Sequence, residues 1–217
     1  MTGYRLILGN KNYSSWSMRP WLAMRVKGLN FDEDVIPLFA DGFKEAIRAH
    51  SKAGRVPVLH DGDRVIWDSL AILEYLADRH PELEFWPAGE APRAHARAIS
   101  AEMHSGFAAL RGGCPMIMRR DPAAIELDAP VGQDIERILA LWREARTSFG
   151  DSGPFLFGAF CNADAMYAPV VVRLHVYAVP VDAESRAYMD AVMDLPAFMD
   201  WRRAAIAEPW VIERMER

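Results

Sequence analysis

Two short polar segments carry the side chains whose chemistry is easiest to specify. In the first, NKNYSSWSMRPWLA, the residues Asn12, Tyr13, Ser14 and Ser15 precede a predicted helix. A side-chain donor beside a helix N-terminus can hydrogen-bond a thiolate and so lower the pKa of a thiol held there. Serine also caps helices through its hydroxyl, and one residue can serve both purposes. The segment therefore indicates a thiolate site, a capped helix, or both.

The second polar segment is the pair Asp68-Ser69, which precedes the apolar residues of another predicted helix. Free N–H groups and the helix dipole favour a carboxylate at such a position. The Ser69 hydroxyl adds a donor, and the Asp68 carboxylate can pair with an amine. The alternative interpretation is that Asp68 is only an N-cap.

The elements around these segments predict a small mixed α/β layer over residues 1–80. The run YRLIL at residues 4–8 predicts a buried strand, and a helix follows it. Further along the chain we predict a strand at 32–38, a short helix or turn at 43–50, and a hairpin turning at Asp61-Gly62. The helix that Asp68 opens ends at His80-Pro81.

The remaining chain is predicted to be helical. The segment PELEFWPAGEAP, residues 81–92, has the composition of a linker. The apolar spacing of Ile99, Met103, Gly106 and Leu110 predicts one long helix, which places His104, Phe107 and Arg111 on one face. The apolar run from Ala163 to Val179 is too short to span a bilayer and predicts a helix buried on all sides.

Composition and charge exclude several classes of function. The net charge of −5 leaves no basic footprint for nucleic acid. Cys114 and Cys161 are the only cysteines and have no metal-binding spacing, so we predict two reduced, buried thiols and no metal. The start of the sequence has no basic region followed by an apolar core, so we expect a cytoplasmic protein without a membrane anchor.

Four segments in this order resemble the glutathione S-transferase superfamily: NYSSWSMRPWLA, GRVPVL, WDSLAILEYL and FLFGAFCNADAMYAPV. The resemblance covers nearly the whole chain, and the loop YSSWS is loosely similar to that of the zeta class. It implies an α/β thioredoxin-like N-terminal domain at residues 1–80. It also implies an all-α helical-bundle C-terminal domain at residues 93–217, joined by the linker at 81–92.

The resemblance also implies glutathione as co-substrate and a role for each segment. Asp68 and Ser69 would bind the γ-glutamyl end of glutathione, although the family more often has Glu or Gln before this serine. Pro57 would be cis and present the backbone of Val56 to the cysteine of glutathione; a trans proline at the start of an edge strand is the alternative. Arg55 is a candidate for the glycine carboxylate, or else a solvated surface residue.

The donor to the glutathione sulfur stays open among four residues of one loop. Ser14 is our first choice, and Ser15 is the second. Counting back from Arg19 by the usual family spacing instead points to Asn12, and the Tyr13 hydroxyl is a further candidate. These alternatives differ in hydroxyl or amide geometry, which the sequence does not specify.

The electrophile pocket should lie between the domains, against the predicted long helix. There His104 and Arg111 could bind an acidic or carbonyl substrate beside Phe107. The alternatives are that His104 is hydrogen-bonded within the domain interface and that Arg111 is a surface residue. Asp164 is expected to be structural, completing a capping box with position 161. Because Cys161 caps poorly, Asn162 is a candidate to take over as the cap.

The leading hypothesis is a detoxifying transferase that adds the glutathione thiolate to a small electrophilic or hydrophobic substrate. A glutathione-dependent isomerase resembling maleylacetoacetate isomerase is the alternative enzyme, and a non-catalytic binding or regulatory module is the alternative class. Since no cysteine precedes Cys114, a protein-thiol reductase is disfavoured. The family usually forms homodimers, and we carry that over as an expectation.

Overall fold

A four-stranded sheet and three helices form the first part of the chain. The structure is a computed structural model that describes residues 3–150 and 153–216; residues 1, 2, 151, 152 and 217 of the predicted domains lie outside it. The elements are β1 (Tyr4–Gly9), α1 (Ser15–Val26), β2 (Phe31–Ile36), α2 (Phe43–His50), β3 (Val58–Asp61), β4 (Arg64–Trp67) and α3 (Ser69–Arg79). The predicted order of elements is confirmed. The second strand stops at Ile36, before Pro37, which has no N–H for a ladder.

The strand β1 lies inside the sheet, whose order is β2-β1-β3-β4. It pairs with β2 in parallel and with β3 antiparallel. Leu6 and Leu8 enter the main core, whereas Ile7 belongs to a separate cluster that includes Ile47 of α2. Because successive side chains of a strand point to opposite faces, a continuous apolar run is required where both faces are covered.

Helices make up the second part of the chain. After a 3₁₀ turn at Pro81–Leu83 come α4 (Glu90–Ser105), α5 (Ala108–Gly113), α6 (Ala129–Phe149), α7 (Asn162–Val176), α8 (Ala183–Met193) and α9 (Pro196–Ala207). The central helix α7 is buried at all but one residue and packs against α1 and α4, so the predicted buried helix is confirmed. None of the described helices is long and apolar enough to cross a membrane.

The predicted long helix through Leu110 is wrong, because the chain breaks between α4 and α5. Gly106 is extended, with φ −101° and ψ −164°, and Phe107 has a positive φ of 57°. A Cβ on Gly106 would lie 2.8 Å from the carbonyl oxygen of Glu102, so this turn requires glycine. His104 and Arg111 consequently sit on two different helices.

The start of α7 is held by Asp164, as expected. Its carboxylate accepts the backbone N–H of Cys161 at 2.9 Å and that of Leu156 at 3.1 Å. Cys161 completes the capping box, and Asn162 instead donates its side-chain amide to the carbonyl of Leu73 at 3.3 Å. The expectation that Asn162 caps this helix is therefore wrong. Burial raises the pKa of Asp164 to about 6.

Both cysteines are free and buried, as predicted. Burial raises the pKa of the Cys114 and Cys161 thiols. A thiol whose pKa is raised by apolar burial is a poor nucleophile, so these cysteines are structural.

Candidate functional site

A cavity of about 780 Å³ lies between α3 and α4. The turn from β4 into α3 supplies Asp68 and Ser69, and the segment before β3 supplies Arg55, Val56 and Pro57. His104 of α4 lines it from the helical part of the chain. The structure therefore brings together the residues predicted to bind a tripeptide and one residue predicted for the electrophile.

Asp68 caps α3 and also faces the cavity. Its Oδ1 atom accepts the backbone N–H of Leu70 at 2.9 Å and of Ala71 at 3.3 Å. Its Oδ2 atom lies 3.2 Å from Nε2 of His104 across the cleft. Capping thus uses Oδ1, whereas Oδ2 faces His104 across the cleft.

Ser69 is the first residue of α3 and is 1% exposed. Its hydroxyl is buried, lines the cavity, and has no hydrogen-bond partner within residues 3–150 and 153–216. An unpaired buried hydroxyl is unfavourable, so nearly all such groups in proteins have a partner. An acceptor entering the cavity at the N-terminus of α3 would satisfy it.

The opposite wall presents free backbone groups. The Val56-Pro57 peptide is cis, as expected from the resemblance. Among the described residues, neither the N–H nor the C=O of Val56 is hydrogen-bonded. Arg55 is exposed at the rim and has no carboxylate partner in the part of the chain that the structure describes.

A second cavity, of about 450 Å³, adjoins the first and shares Trp16, Arg55 and Val56 with it. Ser14 and Ser15 line it at the N-terminus of α1. Ser14 is the N-cap and accepts the backbone N–H of Ser17 at 3.3 Å. The two serines predicted to meet the sulfur therefore lie in a cavity that adjoins the first one.

Asn12 does not reach either cavity. It is fully buried, and its Oδ1 atom accepts the backbone N–H of Arg119 at 2.9 Å. The spacing that pointed to Asn12 fails because the chain between Gly9 and α1 forms a hydrogen-bonded turn, with Ser14 N–H donating to the carbonyl of Asn10 at 2.8 Å. This turn brings Ser14, and not Asn12, to the start of the helix.

Tyr13 lines the second cavity, but its hydroxyl is held by the C-terminal segment. It accepts the backbone N–H of Ile212 at 3.1 Å and a guanidinium N–H of Arg119 at 2.5 Å, and it donates to Glu216. Burial and the hydrogen bond to Glu216 raise the pKa of Tyr13. A hydroxyl with these partners is not available to a sulfur atom.

No aspartate or glutamate of the described chain lines the second cavity. Four arginines do, namely Arg55, Arg111, Arg173 and Arg214. Arg111 lies 5.5 Å from the Trp16 ring and donates to the carbonyl of His104 at 3.2 Å. Arg173 is buried in α7, which lowers its pKa to about 10, and it donates to the carbonyl of Cys114. This lining favours an anionic ligand.

Sequence reasoning missed Arg173, Arg214 and Trp16 as wall residues. Arg173 had a usable signal, because a cation inside an otherwise apolar helix is rarely buried without a reason. Phe107, which we predicted as a wall residue, lies instead in the main core at 7% exposure and lines neither cavity. The break after α4 turns it inward.

The loop before Ser14 is clamped by residues more than 180 positions away. Glu208 accepts the backbone N–H of Lys11 at 2.6 Å and of Asn12 at 3.1 Å. Trp201 of α9 donates to the carbonyl of Lys11 at 3.0 Å. The sequence shows no sign of these contacts, which fix the loop from the C-terminal side. No group of three or more His, Cys, Asp or Glu that could hold a metal occurs among the described residues.

Comparison with known protein families identifies a matching domain. Residues 13–79 match the glutathione S-transferase N-terminal domain. The chain is 33% identical over 107 residues to a probable maleylacetoacetate isomerase of Caenorhabditis elegans, covering 49% of this chain and 50% of that protein. It is 34% identical over 100 residues to glutathione S-transferase Z1 of Arabidopsis thaliana, covering 44% and 43%. The chain thus spans about half the length of the curated relatives it matches.

Solved structures extend the likeness to nearly the whole chain. A glutathione transferase homologue from Burkholderia, with bound glutathione, superposes with a TM-score of 0.71 at 22% identity, covering 94% of this chain and 98% of that one. Ure2p in complex with glutathione gives a TM-score of 0.70 at 17% identity, covering 93% and 94%. At these identities the likeness establishes the fold alone.

Proposed function

Since the chain belongs to the glutathione S-transferase superfamily, we propose that it binds glutathione and activates its thiol for attack on a small electrophile. The observation that carries this proposal is the buried Ser69 hydroxyl at the N-terminus of α3, which has no partner among the described residues and lies in a cavity that adjoins the start of α1. A tripeptide with a charged end and a thiol fits these two features.

The charges of the first cavity match those of the tripeptide. The γ-glutamyl carboxylate would accept hydrogen bonds from Ser69 and the first turn of α3. The γ-glutamyl amine would pair with Oδ2 of Asp68, which is the oxygen not used for capping. The backbone of Val56 would pair with the central cysteine, and Arg55 would meet the glycine carboxylate.

This placement brings the sulfur to Ser14 and Ser15 at the N-terminus of α1. A hydroxyl donor and the helix dipole both stabilise the thiolate over the thiol, and so lower the thiol pKa toward neutrality. The thiol proton leaves to solvent. The sulfur then forms a bond to the electrophilic carbon, and the leaving group departs with the electron pair of the bond that breaks.

The arginine-lined cavity supports a second candidate, a glutathione-dependent cis–trans isomerase of an acidic substrate. Besides Arg55, three arginines and no acidic side chain of the described residues line this cavity, and relatives named as maleylacetoacetate isomerases match about half of the chain. The thiolate would add to the activated double bond, and rotation about the resulting single bond would follow. Expulsion of the thiolate would then leave the trans isomer and regenerate glutathione.

One experiment separates these candidates. Calorimetry with glutathione tests binding. Turnover is then compared for two substrates, the neutral electrophile chlorodinitrobenzene and the acidic cis-alkene maleylacetone. The variant Arg111→Leu should raise KM for the acidic substrate and leave KM for the neutral one nearly unchanged. Binding of glutathione with no turnover of either substrate would instead indicate a binding module, and absence of glutathione binding would refute the proposal.

We further propose that residues 1–80 and 93–217 act as two domains joined by residues 81–92, and that the protein works as a cytoplasmic homodimer. Val65, which is 38% exposed on the edge strand β4, is a candidate residue of the subunit interface; Trp67, 55% exposed on the same strand, also lines the first cavity. Light scattering on the purified protein tests the homodimer, and a monomer at micromolar concentration would contradict it.

A further inference from the structure

Ser17, on the first turn of α1, connects the end of β1 to the N-cap Ser14. Its side chain is 0% exposed. Its Oγ atom accepts the backbone N–H of Gly9 at 3.0 Å and lies 2.7 Å from Oγ of Ser14. Ser14 in turn is 5% exposed and lines the second cavity. A line of hydrogen bonds therefore runs from the central strand through Ser17 to the cavity.

The direction of the bond between the two hydroxyls follows from counting protons. Only one proton lies between the two oxygens, and either hydroxyl can supply it. If Ser14 supplied it, the proton of the fully buried Ser17 hydroxyl would have no acceptor among the described residues. Buried donors are nearly always paired, so the arrangement in which Ser17 donates to Ser14 is favoured.

This arrangement determines what the Ser14 hydroxyl can do. In the favoured arrangement its oxygen accepts the backbone N–H of Ser17, which lies 3.3 Å away, and also the Ser17 hydroxyl proton, so both of its lone pairs are occupied. Its own proton is then left for an acceptor in the second cavity, which Ser14 lines. Ser15 lacks such a constraint, because no side-chain hydrogen bond joins its hydroxyl to the described residues.

We propose that Ser17 is a positioning residue that directs the Ser14 hydroxyl proton toward the sulfur of bound glutathione. This inference rests on the proposed function, and it selects Ser14 over Ser15 as the donor to sulfur. Ser17 acts only through Ser14 and does not touch the ligand. The backbone N–H of Gly9, at the end of β1, fixes the position of the Ser17 hydroxyl. The position of β1 therefore determines where the Ser14 hydroxyl lies relative to the sulfur.

The test measures the pKa of the glutathione thiol in the complex, from the ultraviolet absorbance of the thiolate as pH is varied. Ser17→Ala should raise this pKa by about half a unit to one unit, the size expected for one hydrogen bond. Ser14→Ala should raise it at least as much, and the double variant should match Ser14→Ala alone. Such non-additivity is the signature of two residues acting in one chain of contacts.

The matched control is Ser100→Ala, because Ser100 is also a fully buried helical serine and lies outside both cavities. It should leave the thiol pKa unchanged. An unchanged pKa in Ser17→Ala, or additive shifts in the double variant, would overturn the proposal. If Ser17→Ala does not fold, Ser17→Cys, a weaker donor of similar size, should shift the pH profile of kcat/KM to higher pH, and an unshifted profile overturns the proposal.

Failure of the proposed function would look different. In that case wild-type protein would give no calorimetric heat with glutathione or with an S-alkyl analogue. If glutathione binds normally but its thiol pKa is the same in wild type and Ser17→Ala, only the positioning role of Ser17 is refuted.

Discussion

Replacing Ser69 with alanine should weaken glutathione binding without destabilising the protein. In the structure the Ser69 hydroxyl is buried and has no partner among the described residues, so its loss breaks no hydrogen bond of the free protein. Removing an unpaired buried hydroxyl leaves stability unchanged or improves it, since such a group costs about 1–3 kcal/mol when unsatisfied. The melting temperature should therefore stay the same or rise.

In the complex the same hydroxyl would donate to the γ-glutamyl carboxylate. A hydrogen bond to a charged group contributes about 1.5–3 kcal/mol. Since each 1.4 kcal/mol is tenfold in affinity, the glutathione Kd should increase by roughly 10- to 150-fold. Isothermal titration calorimetry measures this change, and differential scanning calorimetry measures stability in the same samples.

Ser100→Ala is again the matched control, because its Oγ is likewise buried and has no partner in the described chain, but it lies outside both cavities. It should alter neither Kd nor the affinity for analogues. A Kd in Ser69→Ala within twofold of wild type would refute the assignment of the γ-glutamyl subsite. So would a fall in melting temperature large enough to account for the lost binding.

Three further outcomes are expected. Asp164→Ala should lower the free energy of unfolding by about 1–2 kcal/mol through loss of a helix cap, with glutathione affinity unchanged; an intact melting temperature would contradict this. Because burial raises the pKa of Asp164 from 3.8 to about 6, the folded protein binds more protons than the unfolded chain in that interval. Stability should therefore fall as pH rises between about pH 4 and pH 6, and urea titrations of Asp164→Asn should lack this contribution. Glu208→Ala should lower the free energy of unfolding by about 1–3 kcal/mol and also lower kcat/KM, because the loop at Lys11 and Asn12 loses both backbone hydrogen bonds to the carboxylate. An unchanged kcat/KM in steady-state kinetics would show that the loop keeps its conformation without Glu208.

The fold could be predicted from the sequence because its signals are local. The order of strands and helices in the N-terminal part follows from apolar runs, turn residues and caps, and the structure confirms it. The cis peptide before Pro57 and the burial of α7 also follow, the first from the resemblance and the second from an uninterrupted apolar run. Such features depend on residues within a few positions of one another.

The candidate site was predicted only in part. Asp68, Ser69 and Val56 belong to short segments whose backbone shape is set locally, and they do line one cavity together. The long helix expected through Leu110 was not found, since apolar periodicity continues across the break at Gly106 and cannot reveal it. That break is what removes Phe107 from the cavity wall.

The sequence by itself determined which residue types stand at the ends of α1 and α3, and therefore the kind of ligand that those ends can hold. Only the tertiary structure separates Asn12 and Tyr13 from Ser14 and Ser15, because Asn12 and Tyr13 are hydrogen-bonded to Arg119, Glu208 and Glu216, far along the chain. It also gathered four arginines from separate segments around one cavity. Hydrogen bonds and charges act through space, and their partners are set by how the chain folds back on itself.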